Sequence, residues 1–199
     1  MNTLETKAKI RMLKYFDCEI KKYILPDIER LTKEIRPIGR EGLKGCTIPL
    51  AMFLFSILDL FGFLIREGEP TVNKRDATNE NLEYMFSGQK FLPAAYSENS
   101  KILVNLFRHG LMHQVFPKAC GISKAGNKEL ISFENDMLNL NVDRLSQDVV
   151  NVLNRINLVI VDERDNSLTL RMNAGLDFLQ QKDFEQLGKL TASQLKNRT

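Results

Sequence analysis

The stretch TIPLAMFLFSILDLFGFLI, residues Thr47–Ile65, decides the fold. It is close to the length that crosses a bilayer. Asp59 sits in its middle, and an Asp at a bilayer centre costs roughly 2.5–3.5 kcal/mol on insertion scales. Positive charge at its flanks is thin, with Lys44 before it and Arg66 after it. A helix that is apolar all round is also what the centre of a helical bundle requires. The expectation is a buried core helix and no membrane partner.

The segments on either side read as helices that could surround it. Upstream, Leu13, Phe16, Ile20, Ile24, Ile28, Leu31 and Ile35 recur at spacings of three and four. Pro26 interrupts that pattern and predicts a kink or a meeting of two helices. Pro37, Gly39, Gly42 and Gly45 form the connection into Thr47–Ile65. Downstream, residues 66–80 read as a long polar loop and Leu82–Phe86 as a short helix. Ser97 then looks like an N-cap for a helix from about Ser100 to Phe116, limited by Pro117. Residues 121–127 read as a loop. Ser132 is a second candidate cap, with Glu134 and Asp136 suited to the first turn of the next helix. Its apolar stripe is Leu138, Val142, Leu145, Val149, Val152 and Ile156.

The period then changes. Val159 and Val161, then Leu168, Leu170 and Met172, alternate with polar neighbours around Asp165-Asn166-Ser167, which predicts a β-hairpin. A last helix follows, with Leu176, Leu179, Phe184, Leu187 and Leu190 inward. The predicted fold is mainly α: a helical bundle over residues 1–157, with a small C-terminal β-hairpin and a final helix (158–199) packed on it.

Composition narrows the function. Three Cys in 199 residues, without C-x-x-C spacing, exclude a disulfide scaffold and point to a reducing compartment, the cytoplasm. Met1–Arg11 lacks the apolar core of a signal peptide. Net charge is +3, too mild for a strongly basic nucleic-acid binder. Residues 1–50 carry 11 basic and 7 acidic side chains, so the first quarter is the basic one. Lys7, Lys9, Arg11, Lys14, Lys21 and Lys22 could approach phosphate there, or simply form a solvated helix face.

The two histidines of the chain, His109 and His113, both lie in Arg108-His109-Gly110-Leu111-Met112-His113. Leu103, Val104, Leu106, Phe107 and Leu111 make the surrounding helix apolar nearly all round. A guanidinium cannot shed its charge, so Arg108 must either pair with a carboxylate, for which Asp59 is the obvious partner, or line a polar cleft. Three readings follow. In the first, Arg108 is salt-bridged and the histidines are satisfied core residues. In the second, His109 and His113 share a helix face at the spacing of zinc helices, but no Glu follows the first His and no Cys lies near. No metal is expected. The third is nuclease chemistry.

The Arg108-to-His113 segment resembles the R-x(4–6)-H motif of the HEPN superfamily (higher eukaryote and prokaryote nucleotide-binding domains), in which the residue after Arg is usually Asn, His or Asp. Here it is His109. The longer run NLFRHGLMHQVFPK, Asn105–Lys118, looks like a pattern of bacterial HEPN-like proteins, RNGLxHxxFPK. The resemblance covers about residues 40–157 and leaves the C-terminal elements unexplained.

The resemblance implies a dimeric, metal-independent and cofactor-free endoribonuclease in a defence or toxin-like setting, with RNA as substrate and an antitoxin or other protein as partner. Under it, His113 exchanges a proton with the ribose 2′-OH or the leaving oxygen, since a free imidazole titrates near ~6.5. Arg108 stabilises charge on the phosphoryl oxygens. His109 or Asn105 orients the phosphate or the neighbouring imidazole. The products are a 2′,3′-cyclic phosphate and a 5′-hydroxyl. The same resemblance also admits a non-catalytic module that binds RNA, nucleotide or protein. On a regular helix Arg108 and His113, five residues apart, point roughly 140° apart. A helix irregular at Gly110, or two helices meeting across a two-fold axis, would bring them to one phosphate.

Overall fold

The structure, a computed structural model, describes residues 3–34, 47–68, 77–87, 91–114, 120–124, 128–134, 136–162 and 165–196, without the side chains at 34, 77–78, 112–114, 134 and 190–196. Pro37, Gly39, Gly42, Gly45, Phe116 and Pro117 lie outside the described residues.

The chain is predominantly helical, with one small sheet. It opens with α1 (Thr3–Tyr15), which widens into a π-helical stretch, Phe16–Ile24, before α2 (Leu25–Glu29) and a second π stretch, Arg30–Glu34. Pro26 sits in the first turn of α2, directly after the widened segment. Proline has no N–H to donate and its ring crowds the carbonyl four residues back, and a change of helical pitch accompanies it where a kink or a meeting of two helices was expected. Ala8, Met12, Phe16, Ile20 and Ile28 carry the inward face across all these changes.

The central helix α3 (Thr47–Ile65) is long and apolar enough to cross a membrane by length and composition, but ten of its residues are buried inside the protein. Leu50, Ala51, Leu54 and Leu58 have no exposed surface. At about 25 cal/mol per Å² of apolar surface, covering such a segment is a strong drive for the surrounding helices to pack on it. α4 (Ala77–Ser87) crosses α3 at close range. A Cβ on Gly62 would stand 2.2 Å from the Asn81 carbonyl oxygen, so only glycine admits this approach. α4 also starts earlier than its apolar residues announce, inside the stretch read as loop.

The next segment is α5 (Ala94–Glu98), α6 (Ser100–Ile102), a π stretch over Leu103–Arg108, and α7 (His109–Gln114). Ser97 is not an N-cap. It lies inside α5, and its hydroxyl donates to the Ala94 carbonyl at 2.8 Å.

Two sequence expectations fail after α7. Where a loop and a helix start were read, there are β1 (Cys120–Ser123), β2 (Ile131–Glu134) and β3 (Met137–Asn141), in sheet order β1-β3-β2. β1 runs parallel to β3, and β2 runs antiparallel to it. Ser132, Glu134 and Asp136 therefore start no helix. Asp136 takes the left-handed conformation (φ 60°) in the tight β2–β3 turn. Asn141 caps α8 (Val142–Val161), its side-chain oxygen accepting from the Arg144 N–H.

The C-terminal β-hairpin is absent. α8 runs through Val159 and Val161, and α9 (Asn166–Lys196) begins at the supposed turn. Asp165 is a helix cap there: its Oδ1 accepts from the Leu168 N–H at 3.0 Å and from the Ser167 hydroxyl at 2.6 Å. Leu168 and Met172, four apart, are both buried as helical neighbours. α9 lies against α1 and α3, where Arg11 reaches Asn173 at 3.1 Å, Gln180 at 2.8 Å and the Asp177 carboxylate. Beyond Leu179 it leaves the core. Phe184 is 73% exposed and Leu187 59%, so neither faces inward.

Candidate functional site

Polar side chains gather around the middle of α3. Asp59 accepts a hydrogen bond from the Asn81 side-chain amide at 3.3 Å. The other end of that amide, Oδ1, accepts from Arg66 at 3.4 Å, and Arg66 pairs with Glu80 at 2.6 Å. The close α3–α4 crossing at Gly62 places Asn81 there, and Asn81 is buried. Burial pushes the Asp59 carboxyl up to about 6, while the Asn81 hydrogen bond and then the charge of Arg108 pull it down. Arg108 thus acts on Asp59 through its field. The described residues contain no direct salt bridge between the two, and the neutral amide of Asn81 is the direct partner.

Arg108 ends the π stretch and His109 opens α7. Both are half-buried between the buried Phe107 and Leu111. The Arg108 Nη1 lies 3.3 Å from the His109 Nδ1. A guanidinium only donates, so Nδ1 accepts and the ring proton sits on Nε2. The irregularity of this helix falls over Leu103–Arg108, before Gly110 rather than at it. From His109 onward the turns are α-helical, so Arg108 and His113 leave the backbone at roughly 140° to one another. The Arg108 guanidinium closes part of that gap by reaching His109. His113 stands one turn further along, at the same-face spacing of four. The His113 side chain lies outside the described residues. Asn105 is exposed and, among the described residues, makes no hydrogen bond to the cluster.

The structure therefore brings together Arg108, His109 and, through charge, Asp59. Sequence reasoning missed Asn81, whose signal would have been a polar residue beside Leu82 on a face packed against Gly62. It also missed Arg66 and Glu80, which tie Asn81 down. Among the described residues no three His, Cys, Asp or Glu side chains come together as a metal would require. The basic N-terminal side chains are partly engaged inside the fold. Arg11 holds α9, Lys9 donates to the Val161 carbonyl at 3.1 Å, and Lys21 pairs with Asp17 at 2.7 Å. Lys124 donates to the Thr32 carbonyl at 2.9 Å.

Comparison with protein families, with curated proteins and with solved structures finds no match to this chain.

Proposed function

We propose that the chain is a metal-independent endoribonuclease of HEPN type, working as a two-fold dimer. The observation that carries this reading is the contact of Arg108 with His109 on the half-open part of an otherwise buried helix, one turn before His113. A permanent cation beside an imidazole, with a second imidazole at the next turn, is the equipment that transphosphorylation of RNA needs. His113 accepts the proton of a ribose 2′-OH, and the 2′-oxygen attacks phosphorus. The 5′-oxygen leaves and takes up the proton that His113 returns, and Arg108 neutralises charge on the phosphoryl oxygens. His109, its Nδ1 turned to Arg108, holds that guanidinium in place. Asn105 is exposed and free to meet substrate. A two-fold pairing of α7 supplies the opposed geometry that one straight helix lacks, and two-fold dimers are the commonest oligomers. The proposed compartment is the cytoplasm, in keeping with the free thiols of Cys18 and Cys120. An antitoxin-like protein partner belongs to the same proposal.

One observation favours a second reading. The charge of Arg108 bears on the half-buried Asp59, as expected of an arginine kept for structure. Under that reading the chain is a non-catalytic HEPN-like module that binds RNA, nucleotide or protein.

The test is incubation of the purified chain with end-labelled RNA in EDTA. The nuclease reading expects fragments with 2′,3′-cyclic phosphate and 5′-hydroxyl ends, no cleavage of DNA, and a loss on the order of 10²–10⁴-fold in His113→Ala. Cleavage that stops in EDTA, or persists undiminished in His113→Ala, overturns it.

A further inference from the structure

Arg108 has a carboxylate within reach of its field and does not take it. Its charge bears on Asp59, and α7, which follows it directly, packs on α3. Yet the described residues hold no ion pair between the two, and the guanidinium reaches the His109 Nδ1 instead. A partly buried arginine and aspartate on neighbouring helices readily close into a pair with two hydrogen bonds. Something in this fold opposes that closure.

Asn81 supplies the opposing contact. It is buried, with 7% of its surface exposed. Its side-chain NH2 donates to Asp59 Oδ1 at 3.3 Å, and its Oδ1 accepts from the Arg66 Nη1 at 3.4 Å. An amide can sit either way round, but a guanidinium only donates. Arg66 is pinned by Glu80 at 2.6 Å, so the amide oxygen must face Arg66 and the NH2 must face Asp59. The backbone is fixed as well. The Asn81 carbonyl oxygen lies so near Gly62 that a Cβ there would stand 2.2 Å from it, so α3 and α4 meet at this point without a side chain between them. A neutral donor satisfies one Asp59 oxygen without cancelling its charge. The N–H groups of Arg108 that do not meet His109 thereby stay open to another anion.

We propose that Asn81 is a positioning residue: its amide, aimed by Arg66, holds Asp59 off Arg108 and leaves the guanidinium fork open to the phosphoryl group. What the fork meets rests on the nuclease reading. The separation of Asp59 from Arg108 is a property of the fold and has its own readout.

Carboxyl carbon-13 NMR of the full chain, titrated from about pH 3 to about pH 8, reads that separation without RNA. Wild-type Asp59 is expected to titrate at about 6. Asn81→Leu keeps the bulk of the side chain and removes the amide. Asp59 should then turn to Arg108 and titrate at least about one pH unit lower, because a cation in contact favours the carboxylate. Loss of a donor without a new partner moves it upward instead. Since Asn81 is buried and its replacement can loosen the fold, Arg66→Met serves as the second variant. Arg66 is partly exposed, and without it the amide can turn over, so Asp59 should again titrate below its wild-type value. RNA cleavage joins the two halves. Asn81→Leu should lose at least about tenfold at neutral pH, and Asp59→Asn added to it should recover most of that loss, which a merely destabilised protein would not do. An Asp59 that titrates at or above its wild-type value in both variants overturns the proposal, as does a cleavage loss that Asp59→Asn leaves in place. A wild-type chain that cleaves no RNA defeats the nuclease reading, and the titration alone then decides whether Asn81 holds Asp59 apart.

Discussion

A carboxylate set midway along a helix of leucines and phenylalanines must find donors or give up its charge. Asp59 does some of each: it takes one amide donor from Asn81 and keeps its proton up to about pH 6, chiefly because it is buried. The folded state thus binds this proton more tightly than the unfolded chain does. The stabilising contribution is complete below the ordinary Asp value of ~3.9 and is lost as pH rises through about 6. Wild type should therefore gain stability relative to Asp59→Asn between pH 7 and pH 4, on the order of 1–2 kcal/mol once partial exposure is discounted. Urea unfolding of both proteins across that range measures the difference, and parallel curves would contradict the assignment. Asp59 and Arg108 stood out in the sequence because charges are rare in such oily helices. Asn81 did not, because its role depends on a close crossing at Gly62 that no local pattern announces.

At the level of elements, the period-3.6 stripes were legible and the short alternations were not. Val149, Val152, Leu153, Ile156 and Ile160 form one buried helical face that passes straight through the residues read as a strand. Five residues of alternation at Leu168–Met172 fit a strand, but Leu168 and Met172 also stand four apart on a helix. Asp165 decides between them by capping α9. Asp165→Ala should cost about 1 kcal/mol, within the ~0.5–2 kcal/mol usual for N-caps, without loss of helical signal in circular dichroism. A gain in strand signal would contradict the helical assignment. The strands themselves were hidden for another reason. Each is four or five residues long, and the β2–β3 turn uses Asp136 at positive φ, a position where glycine is the stronger signal.

The whole molecule is organised by α3. Residues from α1, α3, α4, α7, α8 and α9 join one core cluster, and Leu58 near the centre of α3 is fully enclosed. That much followed from reading Thr47–Ile65 as a bundle centre, because a segment with no polar face leaves the remaining helices no other surface to cover. What the sequence could not convey is the path of α9, whose second half leaves the core with Phe184 exposed. The π turns over Leu103–Arg108 are equally silent in it, since that stretch holds no proline or glycine to announce them. Under the proposed function the charge of Arg108 serves the chemistry and not the fold. Arg108→Met should be compared with wild type for melting temperature and for RNA cleavage in EDTA on the same preparations. The expected result is a melting temperature lowered by only a few degrees, about 1 kcal/mol in a chain of this size, and cleavage reduced at least about 10²-fold. A variant that melts like wild type and cleaves RNA at the wild-type rate would contradict it, as would a wild-type protein that cleaves no RNA.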